Sequence, residues 1–168
     1  MWRTPMHYNR KRLRSLARDM LRIAQENLRR DGDLQPVGLI YTNAGLSQVF
    51  PFRCQGLDQK RSSQQEFRKL LLQLKARAAI VVTESWLKVR PELPLDLTRS
   101  IADLPDKEEA VVIEAASPKS RYMIMQVFRK DESGKLHFET PMEPDHPITW
   151  SSEWLDGIWS ERRSEWST

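Results

Sequence analysis

The chain has 168 residues, 39% hydrophobic and 30% charged, a balance that fits one folded α+β domain and excludes a disordered polymer. Its single cysteine, Cys54, excludes an internal disulfide framework and a four-thiolate metal site, and no apolar run approaches the roughly 20 residues of a membrane span. The net charge is +4 and is local, because Asp19 and Glu26 are the only acids among residues 1–30.

Residues 1–8 read as a flexible lead-in to the first helix. In NRKRLRSLARDMLRIAQENLRR, Leu13, Leu16, Ala17, Met20, Ile23, Ala24 and Leu28 recur at helical spacing. Asn9 is placed to cap the start, and the glycine of the DGD at 31–33 to end it. PVGLIYTN and LSQVFPF then read as two strands of a hairpin, with Asn43 to Gly45 as the turn. A second helix is expected from SSQQEFRKLLLQLKARA. There Ser63 and Glu66 have capping-box spacing, and Phe67, Leu70, Leu71 and Leu74 share one face.

AAIVVTESWLKV follows as a buried strand. The proline-containing stretch 90–108 reads as a long surface loop. AVVIEAAS, RYMIMQVFRK and LHFETPM are three more strands, joined at Pro118–Lys119 and at DESGK. Last comes a Trp-rich helix carrying Trp154, Leu155, Ile158 and Trp159. The order is therefore α-β-β-α-β-β-β-β-α, built round a single mixed or antiparallel sheet of five to six strands. It resembles the roadblock and longin-type domains, which set a five-stranded sheet against helices; the likeness is one of topology.

RYMIMQVFRK is apolar on both faces, with Tyr122, Ile124 and Phe128 on one and Met123, Met125 and Val127 on the other. An antiparallel strand with one wet face alternates more cleanly, so this strand is expected to be covered on both sides. The two earlier helices suffice for one side. The other falls to the C-terminal tryptophans, Trp150, Trp154 and Trp159 among them, or to a second copy of the protein. Indoles at such a place either pack on the sheet or anchor an interface.

Three functional readings follow. The first is a non-catalytic domain that binds a protein partner or itself as a homo-oligomer. The second is nucleic-acid binding through residues 10–30, where Arg10, Arg14, Arg18 and Arg22 form an i+4 ridge suited to phosphates. The third is a hydrolase pairing the mid-strand glutamates Glu84 and Glu114, with Glu139 as a further candidate, since two close carboxylates drive their pKa values apart. Cations beside those strands favour simple ion pairs instead, and Glu84 reads as the point where the core ends. His7, His137 and His146 are scattered, and no phosphate loop or nucleophile elbow occurs. No metal, cofactor or membrane contact is expected, and a reducing cytoplasm is the expected setting.

Overall fold

The computed structural model describes residues 4–88, 107–143 and 159. Their elements are α1 (Arg10–Asp31), β1 (Val37–Thr42), β2 (Gly45–Pro51), α2 (Leu57–Gln73), β3 (Ala78–Lys88), β4 (Lys107–Ala116), β5 (Arg121–Lys130) and β6 (Leu136–Phe138). The strands form one six-stranded sheet in the order β2-β1-β3-β4-β5-β6, antiparallel at every pairing. No helix among the described residues is long and apolar enough to cross a membrane. The stretch 89–106, Trp150 and Trp154 lie outside the described residues, as does the Trp-rich helix apart from Trp159.

The ends of α1 follow its local chemistry. The Asn9 side chain accepts from the Arg12 N–H at 2.9 Å, relieving a helix N–H that has no partner within the helix. Gly32, at φ +80°, ends it with an N–H to the Leu28 carbonyl, in a conformation that a side chain would resist. The stripe it buries is Leu13, Ala17, Leu21, Ala24 and Leu28. It is rotated from the sequence expectation, so that Ile23 is 42% exposed while Leu21 is buried. Fully burying a leucine such as Leu13 or Leu28 contributes about 1.5–3 kcal/mol.

The start of α2 differs from expectation. The helix begins at Leu57, and Ser63, read as its cap, is a buried residue within it. The Ser63 hydroxyl instead accepts from the Arg53 N–H at 2.9 Å, fixing the segment that leads into the helix. The N-cap position is Gly56, which has no side chain to cap with; the Gln59 side chain reaches back to the Gln55 N–H at 3.2 Å. Residues 1–8 are not simply a loose lead-in. Tyr8 is buried, its hydroxyl donates to the Thr42 carbonyl at 2.7 Å, and its own carbonyl accepts from the Ser117 hydroxyl at 2.8 Å.

The two helices do not share a face of the sheet. The α1 stripe packs on Leu39, Tyr41, Ile80, Val82, Val111, Ile113, Ile124 and Phe128. Phe67 and Leu71 of α2 pack on Ile40, Ala79 and Val81, the alternate residues of the same strands, together with Phe52 and Trp159. The sheet face that the sequence left to the tryptophans or a second copy thus holds α2 over β1 and β3, with Trp159 packed in the same cluster. Strand β5 lies between β4 and β6. Tyr122, Ile124, Gln126 and Phe128 are buried toward α1, while on the other face Val127 is buried and Met123 and Met125 are half-buried.

Gly38 sets how closely α2 approaches. A Cβ there would lie 2.5 Å from the Phe67 ring and 3.0 Å from the Phe52 ring. Those rings are locked edge to face at 5.0 Å, so neither yields easily. Gly38→Ala is expected to cost about 1–3 kcal/mol through overpacking, read as a lower midpoint in urea denaturation with an unchanged slope.

Candidate interaction surface

The three glutamates are not brought together. Glu84 pairs with Val111, on the face that α1 covers, whereas Glu114 pairs with Val81, on the face that α2 covers. Side chains on opposite faces of a sheet cannot share a proton or flank one substrate bond. Glu139 donates its N–H to the Val127 carbonyl, and Val127 pairs with Ala110, four residues from Glu114. That offset is about 13 Å along the strand. The Glu84–Glu114 pairing that the hydrolase reading requires is thus not formed.

Glu84 and Glu139 each have a local account. Glu84 is half-buried where β3 leaves the core, and it accepts from the Leu34 N–H at 3.2 Å. Burial pushes its carboxyl above the usual range, with the Leu34 bond opposing. Glu139 pairs with Arg129 at 3.2 Å, and Arg129 also holds Glu108. The second oxygen of Glu108 is buried without a partner among the described residues. Among those residues, no group of three or more His, Cys, Asp or Glu side chains is placed to hold a metal.

The arginine ridge lies along the flank of α1 that faces β5. Arg18 grips Glu143 with two bonds, of 2.9 and 3.0 Å, and Arg14 adds a third at 3.3 Å. The Tyr122 hydroxyl donates to the same carboxylate. The Arg18 bond foremost, then those of Tyr122 and Arg14, pull the Glu143 carboxyl down to about 2. Arg22 pairs with Asp19 at 3.6 Å, and the Arg10 guanidinium sits 5.8 Å over the Tyr122 ring. The ridge is thus built into the fold at one side, while the Arg14, Arg18 and Arg22 side chains keep about half or more of their surface in solvent. Trp159 is buried against α2, and its indole N–H donates to the Ala76 carbonyl at 3.3 Å.

The two edges of the sheet contrast. Beyond β5 lies β6, three residues long, with Lys135, His137 and Glu139 around it and Pro141 after it. The chain then returns to β5 through a pair of bonds between Met125 and Met142 at 3.0 and 2.7 Å. Short length, charge and proline are the usual means of keeping an edge from pairing with another chain. At the other side β2 runs seven residues, GLSQVFP, without a charge. Leu46 is 54% and Val49 52% exposed. Three residues apart, they would point to opposite faces of a regular strand. A register shift opposite Ile40 and Tyr41 turns both to the α1 face, Val49 beside Leu39 and Leu46 beside Tyr41. Sequence reading identified β2 as a strand but missed this surface, because neither its place at the edge nor the shift leaves a pattern in the residues.

Comparison with protein-family models, with curated proteins and with solved structures gives no match.

Glu84 and Glu143 are expected to respond oppositely to pH. A carboxyl raised in the fold weakens it above its folded pKa, and the penalty fades as the pH falls and the group protonates. Glu84→Gln should therefore raise the melting temperature at about pH 7 and leave it unchanged below about pH 4. Glu143, held low, stabilises the fold above the ordinary glutamate range and loses that effect as the pH falls toward 2. Glu143→Gln should cost about 1 kcal/mol at about pH 7 and progressively less below about pH 4. Thermal melts of both variants and the parent across this range check the two signs.

Proposed function

We propose that this protein is a non-catalytic interaction domain that associates with other protein chains, first with copies of itself. The observation that carries this reading is the uncharged β2 edge, with Leu46 and Val49 more than half exposed on one face. An open strand edge offers unpaired backbone N–H and C=O groups, and its outward aliphatic side chains add area that gains by leaving water. The glutamates divided between two faces support it from the other direction, since the acid–base pair of the hydrolase reading is not assembled. Light scattering across a dilution series is the test. A mass that rises with concentration toward twice the chain mass is expected, and a strict monomer in concentrated solution would remove self-association.

A second reading has an observation of its own. Arg14, Arg18 and Arg22 lie half or more exposed along one flank of α1, and Arg14 and Arg18 share the single carboxylate of Glu143. The surplus positive charge suits a phosphate backbone. Binding to duplex DNA by this route should weaken with salt at a slope of about −0.9 per phosphate contact. Arg14→Gln with Arg18→Gln should flatten that slope in a titration, and affinity indifferent to salt would dismiss the reading.

A further inference from the structure

We infer that the partner of β2 is the β2 of a second copy, paired antiparallel across a two-fold axis between Ser47 and Gln48. This inference rests on the self-association reading and adds its surface, symmetry and register. Four observations lead to it. First, β2 has no charge from Gly45 to Pro51, so it does not repel itself, and it offers no charge by which an acidic or basic peptide would be selected in its place. Secondly, the opposite edge is short, charged and followed by proline. With one open edge among the described strands, pairing closes as a dimer and does not propagate into a fibre.

Thirdly, the register shift places Leu46 and Val49 on a common face. Rotation about the proposed axis sets Leu46 of each copy opposite Val49 of the other. Four aliphatic side chains that are half in water in the single chain then form one apolar cluster. Cross-strand neighbours must share a face, so a regular strand with Leu46 and Val49 on opposite sides would not be self-complementary in this way. Fourthly, on the opposite face Phe50 already packs against Phe52 and Phe67. The edge is therefore held against α2 before a partner arrives, and little ordering is needed on docking.

The contact is about 23 Å long, seven residues of strand. It falls at the small end of specific interfaces, so the dimer exchanges between partners. Sedimentation velocity on the full chain, as parent and as Val49→Lys, is the first measurement. The parent is expected to dimerise. Val49→Lys is expected to keep the parent's circular dichroism and raise the dimer dissociation constant about tenfold or more, by setting an ammonium against the partner's Leu46. A folded Val49→Lys that dimerises like the parent overturns the edge pairing and leaves self-association standing on another surface. A parent that stays monomeric overturns both.

A second experiment reads the register and does not depend on how Val49→Lys folds. Leu46→Cys and Val49→Cys chains, each carrying Cys54→Ser, are mildly oxidised separately and as a mixture. Covalent dimer is expected to form preferentially in the mixture, because the two cysteines face each other only between unlike chains. Equal cross-linking in the mixture and in either chain alone, or none in the mixture, would refute the proposed pairing.

Discussion

The fold depends on a strand that is apolar on both faces. From Ala78 to Val82, five successive residues of β3 are buried, Ala78, Ile80 and Val82 toward one layer and Ala79 and Val81 toward the other. Such continuity belongs to strands covered on both sides. Water must be kept from each face, so α1 and α2 occupy opposite layers. Each helix then meets the sheet where its own stripe fits. The long stripe of α1 runs over β4 and β5, and the aromatic cluster around Phe67 closes on the small Gly38. The edge strand β2 is left as the part of the sheet that neither helix reaches in full.

The polar groups follow the same division. On the α1 side the buried Gln126 amide is satisfied at both ends, accepting from Gln25 at 2.5 Å and donating to the Glu139 carbonyl at 2.7 Å. That amide joins the first helix to the chain beyond β6. The Glu143 cluster repeats the connection a few residues further on, through Arg14, Arg18 and Tyr122. Charge is thus concentrated where the C-terminal part of the chain meets α1, and it is lacking along β2. The molecule has one flank organised by ion pairs and one organised by aliphatic side chains.

Much of this was legible from local chemistry. Asn9 and Gly32 announce the ends of α1, Asn43–Ala44 turns the hairpin, and RYMIMQVFRK coincides with β5 from end to end. Where sequence reading went astray, a distant contact outweighed a local pattern. Ser63 and Glu66 have the spacing of a helix cap, but the Ser63 hydroxyl is engaged by Arg53, and Gly56 begins the helix with no side chain to signal it. A stripe of apolar residues says that a helix buries a face, not which side of the sheet receives it. The stripes of α1 and α2 are therefore as compatible with one shared layer as with the two layers they occupy. The glutamates carry the same lesson. Their positions in three strands leave a cluster open beside the favoured ion pairs, and only pairing register reveals that Glu84 and Glu114 face apart.

The Gln25–Gln126 bond spans 101 residues, and the Arg14–Glu143 pair spans 129. During synthesis, α1 emerges well before the strands it covers. The surface it needs is complete only after β5 has left the ribosome, and closing so long a loop is the slow kind of step in folding. Until then the stripe of Leu13, Leu21 and Leu28 has no sheet to rest on and lies open to water or to a chaperone.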